Sequence, residues 1–278
     1  MQIGLRIRSY ACVGLFAALL LGASPARAQY QPRPLNDPAT GETYHIEGAA
    51  NFWFPTASML VSSEGLGQPP TLIDFKNDLG LQDQSFVNLR LVLRPTSGNK
   101  FFMQFTPITY TQTAAPQRTI IFNGQRYSVN IPVNSTIDWK AFRFGYEYDI
   151  VRMNRGYGGF ILEAKYTDVR AELMTAIPAV DEFAHAQAPI PALGGVVRVY
   201  VVPNISVTAE LTGFKLPDKL IKDSSGHYVD FDIYGTLNLT NNYGVQGGFR
   251  SIDVGYAVKS DTGSFTLRGP YIGGVVRY

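Results

Sequence analysis

The chain has 278 residues and a formal net charge of +2, with 24 basic and 22 acidic side chains. Near-neutral charge gives no support for nucleic-acid binding, and a single cysteine excludes a disulfide-stapled fold. After the first 28 residues no run of about 18 apolar residues occurs, so the sequence predicts no membrane-spanning helix.

The first 28 residues have the pattern of a secretory signal peptide. Arg6 and Arg8 form a basic start, 11–22 is an apolar run, and Ala26-Arg27-Ala28 is a small-x-small cleavage site. The apolar run is too short for a membrane helix. We expect cleavage after residue 28, which removes the only cysteine, Cys12. Because three arginines and no acids are also removed, the formal charge falls from +2 to −1.

We predict a proline-rich periplasmic lead-in at 29–41 and one domain at 42–278. Within the domain, ten runs alternate apolar and polar residues with the period of a β-strand. They are 42–55, 84–96, 100–112, 135–151, 156–172, 193–203, 204–215, 227–239, 242–256 and 264–278. The links after every second run are short and rich in turn formers, whereas most of the others are long. The long ones are 56–83, 113–134, 173–192 and 216–226.

Each predicted strand has one apolar face and one polar face. A soluble β-sandwich or lipocalin-like barrel would turn the apolar face inward, whereas a membrane barrel would turn it toward lipid. The charges on the apolar face fall only near the proposed outer strand ends, where they cost little. They are Asp138, Lys140, Asp253 and Arg268. Together with short and long links in alternation, this favours the membrane barrel.

The final strand carries a family resemblance. Tyr278, Val276 and Ile272 share one face, and the chain stops on that aromatic residue. This pattern is similar to the last strand of bacterial outer-membrane β-barrels, although Phe is more usual there. The segment Ile-Asp-Phe…Asp-Leu-Gly-Leu at 73–81 also resembles a segment of small bacterial outer-membrane barrels. It covers about nine residues.

The resemblance implies an all-β fold, a transmembrane antiparallel up-and-down β-barrel. We expect about ten strands, with eight or twelve as alternatives. It also implies the outer membrane as location, periplasmic termini, and lipid and lipopolysaccharide as neighbours. In the family, the barrel-assembly machinery recognises the final aromatic residue, so Tyr278, Val276 and Ile272 are the candidate assembly signal.

On this register the interior holds basic and acidic side chains in equal number. The basic ones are Arg90, Arg94, Arg143, Lys165, Arg198, Arg250 and Arg277. The acidic ones are Glu47, Glu147, Asp149, Glu163, Glu210, Asp230 and Asp232. A desolvated lone charge is costly, so a balanced set should pair. Ten strands lie close to the size that side chains fill. We therefore expect a lumen largely filled by paired charges, with a narrow channel for small polar solutes as the alternative.

The loops are the other candidate sites. Ile73, Phe75 and Leu79 are expected either to pack against another loop or to belong to a binding loop. The stretch 117–133 contains a hairpin with Asn123-Gly124 as its turn, which we place in an outer loop. If both its arms entered the wall, the barrel would have twelve strands.

A loop-borne hydrolase is the second alternative. Omptin proteases, also ten-stranded, carry an Asp pair and an Asp–His pair at the barrel rim. Here the candidates are Asp181, Glu182, His185, His227 and Asp230, but the family's motifs and spacing are absent. His45 is expected to be a polar lumen residue. No pattern of His and Cys indicates a metal, and no cofactor is expected. The sequence thus favours a non-enzymatic protein that is structural or binds through its outer loops.

Overall fold

The computed structural model describes residues 39–62, 64, 71–176, 179–216, 224–258 and 261–278. Within these ranges the side chains of 176, 179–186 and 188 are left out of the description. The predicted signal peptide at 1–28 and most of the lead-in at 29–41 lie outside the described residues. No helix in the described part is long and apolar enough to cross a membrane.

Fourteen strands are present among the described residues. They are β1 (Ile46–Trp53), β2 (Thr56–Ser62), β3 (Ile73–Asp74), β4 (Phe86–Thr96), β5 (Asn99–Ala114), β6 (Ile120–Phe122), β7 (Gln125–Tyr127), β8 (Val133–Met153), β9 (Gly156–Ala176), β10 (Ala179–Val202), β11 (Ile205–Leu216), β12 (Ser224–Asn238), β13 (Tyr243–Val258) and β14 (Asp261–Arg277). Alternation of apolar and polar residues along the wall strands produces two distinct sheet faces.

The wall is a closed antiparallel barrel of ten strands. Its order is β1-β4-β5-β8-β9-β10-β11-β12-β13-β14, and β14 pairs back with β1 and β2. β1 and β2 form one wall strand, interrupted at Phe54-Pro55, where the Phe54 N–H still donates to the Pro270 carbonyl at 3.0 Å. The predicted fold class is therefore confirmed. The predicted outer loop at 56–83 was too long, because the strand resumes after Pro55 and continues to Ser62.

The predicted outer loop at 173–192 was wrong. β9 and β10 pair without a register shift from Gly156–Val199 to Ala176–Ala179, so almost all of that segment is strand. Pro189 and Pro191 lie in β10 without interrupting its register with β9.

The predicted hairpin is confirmed as β6 and β7, which pair only with each other. Asn123 and Gly124 have φ values of 50° and 78°. These left-handed conformations are what a two-residue hairpin turn needs, and Asn and Gly adopt them most readily. The hairpin lies outside the wall, so the barrel has ten strands and not twelve.

The outside of the wall is apolar. Val87, Leu89, Leu91 and Leu93 of β4 are exposed, whereas Asn88 and Val92 between them are buried. At the strand ends far from the short turns, outward-facing charges sit opposite each other, with Lys140 beside Asp168 and Asp138 beside Arg170. An apolar exterior bounded by charge is the reverse of a soluble barrel and the pattern of a membrane barrel.

The interior has two halves. Toward the short turns it is lined by charged side chains, and toward the long connections it is an apolar core. Wall residues such as Ile137, Trp139 and Tyr110 supply part of that core. The rest comes from the segment 71–85 and the β6–β7 hairpin, which we call the outer cap. Its buried members are Ile73, Phe75, Leu79, Leu81, Ile120, Phe122 and Tyr127.

The outward face generates a stability prediction. Leu91 lies in the middle of the apolar band, and Leu91→Arg should lower the free energy of unfolding in lipid vesicles by about 2–4 kcal/mol. Thr111→Arg, outward but near the far strand end, is the control and should cost about 0–1 kcal/mol. Equilibrium unfolding in urea measures both. Equal losses would contradict the placement of the band.

Candidate functional site

The candidate site is the charged half of the interior. The structure places every one of the predicted lumen charges on the inner face of the wall, and most of these side chains are nearly inaccessible to solvent. The buried ones are Glu47, Arg143, Glu147, Asp149, Glu163, Lys165, Arg198, Glu210, Asp230, Asp232, Arg250 and Arg277. Arg90 and Arg94 are slightly more exposed, with 13% and 10% of their side chains accessible.

Asp230 is the centre of the largest ion-pair group. Its carboxylate lies 2.9 Å from Arg250, 2.9 Å from Lys165 and 3.6 Å from Arg143. Glu163 bridges two of the same cations, at 2.9 Å from Arg143 and 2.7 Å from Lys165. These residues come from two pairs of adjacent strands, β8 with β9 and β12 with β13, which β10 and β11 separate along the wall. The cations and carboxylates share partners across the lumen, which offsets the desolvation of each.

Arg90 and Glu210 form a second pair that spans the lumen from β4 to β11. One guanidinium nitrogen of Arg90 lies 2.9 Å from the carboxylate, which also accepts the Tyr234 hydroxyl at 3.2 Å. The Phe102 ring lies 4.8 Å from the Arg90 guanidinium and 5.5 Å from that of Arg143. Phe102 fits because Gly145 faces it: a Cβ at Gly145 would be 2.1 Å from the ring.

Two residues of the network escaped the sequence analysis. Lys100 is 2% exposed and contacts Glu147 at 2.6 Å and Asp149 at 3.1 Å. Its parity with Phe102 on β5 was the signal that could have found it. Glu42 belongs to the predicted run 42–55, but the strand begins only at Ile46, so strand parity did not place Glu42 in the lumen.

Glu42 closes the charged half at the short-turn end. Its side chain lies 3.0 Å from Arg198 and 3.1 Å from Arg94, and it accepts the Tyr200 hydroxyl at 2.5 Å. Burial alone would raise the pKa of Glu42. The positive charge of Arg198, the Tyr200 hydrogen bond and Arg94 outweigh it and lower the pKa to about 2.

The middle of the charged half has almost no free space. The cavity between Glu47, Asn51, Arg90, Asp232 and neighbouring residues is about 20 Å³ in volume. That is enough for about one water molecule. Asp232 there accepts the Tyr271 hydroxyl at 2.9 Å, and Arg277 pairs with Glu47 across the β1–β14 seam. The described lumen is therefore filled by side chains at this level.

At the opposite end the outer cap is tied together by Asp78 and Arg118. The guanidinium donates to both carboxylate oxygens at 2.8 Å, and also to the Leu72 carbonyl at 2.6 Å. These hydrogen bonds lower the pKa of Asp78. A two-point Arg–carboxylate pair fixes geometry as well as charge. It joins the segment 71–85 to the chain that leads into the hairpin, so the cap is one packed unit over the barrel end.

The hydrolase candidates do not form a site among the described side chains. His227 faces outward and contacts Asp253 at 3.0 Å, whereas Asp230 faces inward and is paired with Arg250. The side chains of Asp181, Glu182 and His185 lie outside the described ones. His45, expected in the lumen, is instead exposed near the short turns, where its ring contacts the Arg94 carbonyl at 3.2 Å. Among the described residues no group of His, Cys, Asp and Glu could hold a metal ion.

No protein-family model and no curated protein matches the chain. Among solved structures it is similar to the outer membrane protease OmpT from Escherichia coli, with a TM-score of 0.54 and 7% identity over 84% of this chain and 97% of that one. Ail of Yersinia pestis has a TM-score of 0.37 and 10% identity over 84% of this chain and 99% of its own. The Pseudomonas putida toluene transporter TodX has 0.36 and 8% over 87% and 92%.

At 7% identity the likeness to OmpT shows the fold alone, and the TM-scores of Ail and TodX are too low to support an argument. The similarity to OmpT supports the predicted fold class, a β-barrel of the outer-membrane type. The chain has the ten-stranded fold seen in an outer-membrane barrel, and the comparison covers 84% of the chain.

The network generates a second stability prediction. Arg143→Met leaves Glu163 and Asp230 with one cation fewer in a buried site, and we expect a loss of about 3–5 kcal/mol in the free energy of unfolding. The double variant Arg143→Met, Glu163→Gln should recover part of it. The control is Lys76→Met, which breaks the exposed Lys76–Asp83 pair and should cost about 0–1 kcal/mol. Similar losses in Arg143→Met and Lys76→Met would contradict a buried network.

Glu42 generates a pH prediction. Its pKa is lowered in the folded protein, so its charge stabilises the fold fully above the unfolded pKa near 4.5. This contribution should be lost as the pH falls toward about 2. The difference in unfolding free energy between the unaltered protein and Glu42→Gln should therefore shrink over that interval. Unfolding in urea across the acid range measures it, and a difference independent of pH would exclude the ion pairs as its cause.

Proposed function

We propose that this chain is an integral outer-membrane protein that acts through its outer cap and not as an open channel. In this proposal residues 1–28 are the export signal, both termini are periplasmic, and the cap is on the cell surface. The observation that carries it is a lumen filled by ion pairs in the charged half, where the free cavity is about 20 Å³, and covered by the apolar cap at the outer end.

The wall supports the membrane assignment. In lipid every backbone group must be paired within the protein, and a closed barrel meets that condition without a free edge. Its outward Leu, Val and Phe side chains suit hydrocarbon. The outward charges near the long connections, such as Lys140 and Arg268, would then meet lipopolysaccharide head groups and the water above them.

We also propose that Tyr278, Val276 and Ile272 are the signal that the barrel-assembly machinery recognises, and their exposure supports this. Tyr278, Val276 and Ile272 are 87%, 54% and 56% exposed, all on the outward side of the barrel. A machinery that receives the strand from the membrane side would find these three side chains accessible. The inward residues of the same strand, Arg277 and Val275, are buried and serve the interior.

Conductance in a planar bilayer tests the proposal. A gel that compares heated and unheated samples first establishes that the refolded barrel is intact. We expect no discrete current steps from the unaltered protein, under conditions in which a porin conducts. Reproducible steps would overturn the proposal and favour the narrow channel. In that case Arg90→Ala with Glu210→Ala should change ion selectivity, whereas Lys76→Ala with Asp83→Ala, a pair of equal charge on the surface, should not.

A further inference from the structure

The described ladder between β10 and β11 is shorter than the two strands. Their ladder ends at Leu193–Gly213, although both strands continue beyond it. β10 runs on in register with β9 as far as Ala179, and β11 runs on in register with β12 as far as Leu216. Beyond Leu193–Gly213, as far as Leu216 at the end of the described part of β11, β10 and β11 are neighbouring strands that share no ladder.

Prolines account for the end of this ladder, and we call the unpaired stretch beyond it the β10–β11 separation. Tyr200 donates its N–H to the Arg155 carbonyl, on the β9 side, so even-numbered N–H groups of β10 point to β9 and odd-numbered ones to β11. Pro189 and Pro191 occupy odd positions. Proline has no N–H. At these two positions it therefore breaks no hydrogen bond to β9, but it removes the donors that a ladder with β11 would use.

Behind the separation lies an apolar cavity of about 580 Å³. Its inner lining comes from Trp139, Val169, Phe214, Leu216, Tyr256 and Phe265. The lining also includes Pro189, Pro191 and His227, which belong to the outer face of the sheet. The lining of the cavity is thus drawn from both faces of the sheet at this position.

A second ladder end shows that the cavity is not a general result of unpaired strands. The β4–β5 ladder ends at Leu89–Phe105. There the interior is closed, because the Phe86 and Tyr110 rings meet edge to face at 5.1 Å and Leu81 of the cap is buried among them. Of the two ladder ends, β4–β5 and β10–β11, the second alone lies beside an apolar cavity.

The separation lies at the outer edge of the apolar band. Pro189 is opposite Tyr166, which is opposite Phe142 on β8. Two residues further out, the same face carries the opposed pair Lys140 and Asp168. In a membrane this is the level where hydrocarbon gives way to head groups of the outer leaflet.

We propose that this cavity binds a small uncharged apolar molecule, a ring or a single hydrocarbon chain, and that the β10–β11 separation is its lateral entrance from the outer leaflet. The volume lies in the range of small-molecule sites, and the lining is apolar with a few polar groups such as Ser225 and Gln187. The path ends there, because Lys165, Asp230 and Arg143 fill the lumen toward the short turns. The cavity is therefore a binding site and not a route through the barrel.

The two tryptophans of the chain provide matched reporters. Trp139 lines the proposed cavity, and Trp53 faces the lumen beside the small polar cavity. Both are 1% exposed, so lipid outside the wall reaches neither. Trp53→Phe leaves Trp139 as the only emitter, and Trp139→Phe leaves Trp53. Bromine quenches indole emission on contact, so a brominated apolar probe reports entry.

Both proteins are refolded at full length in phosphatidylcholine vesicles and titrated with bromobenzene. We expect a saturable loss of at least half the Trp139 emission and no saturable loss for Trp53. A second arm uses phosphatidylcholine brominated on its acyl chains without bromobenzene. Quenching of Trp139 in that arm identifies a lipid chain as occupant, and quenching by bromobenzene alone identifies a free apolar solute. Absence of Trp139 quenching in both arms overturns the site.

The entrance is tested in the Trp53→Phe protein by Pro189→Val with Pro191→Val, which restores both donors toward β11. We expect bromobenzene to quench Trp139 several-fold more slowly in stopped flow, with the same final loss. Leu193→Val, an outward change just below the separation, is the control and should leave the rate unchanged. An unchanged rate in the double valine variant overturns the lateral entrance.

Discussion

The structure depends on the closure of the sheet where β14 pairs with β1 and β2. A barrel in lipid has no water to satisfy a free strand edge, so an open sheet of these strands would leave rows of N–H and C=O groups unpaired. Closure also creates an inside. Only then can Arg277 of the last strand meet Glu47 of the first, and only then are the inward charges removed from solvent together.

Once the inside exists, its two halves solve the problem of filling it in different ways. The charged half uses long side chains that share partners, so that Asp230 is held by three cations and Arg143 serves three carboxylates. The outer half is filled by apolar side chains. It takes apolar residues from connections that leave the wall and return over it. The Asp78–Arg118 pair fixes those connections on top of Trp139 and Tyr110.

The sequence predicted the features that a period of two encodes directly. Val87 to Leu93 and Phe142 to Ile150 have the facing that the alternation indicates, and the same parity places the lumen charges. It did not predict which half of the interior would be apolar. Ile137, Trp139 and Ala141 of β8 follow the inward parity of Arg143. The strand pattern alone does not show what these inward apolar residues pack against, because their partners lie in the cap.

Long-range partners also explain the remaining errors. The segment 173–192 was expected to be a loop, but it pairs with β9 and β8, and its prolines fit a strand because the described ladder with β11 ends before them. Glu42 precedes the first strand, and its partners Arg94 and Arg198 are 52 and 156 residues away. Local pattern carries no information at such separations. The apolar segment 73–81 was expected to pack or to bind, and its packing surface is the inner wall together with the hairpin.

The position of Glu42 has a consequence for how the chain reaches its folded state. The segment that carries Glu42 forms hydrogen bonds with two distant parts of the chain. The Thr40 N–H donates to the Pro203 carbonyl, and the N–H groups of His45 and Ile46 donate to the Tyr278 carbonyl. These contacts need β10, β11 and the last residue in place. The described base of the barrel is therefore complete only when the last strand is paired with this segment. Residues distant in the sequence depend on one another there, which couples the formation of the first described segment to that of β10, β11 and β14.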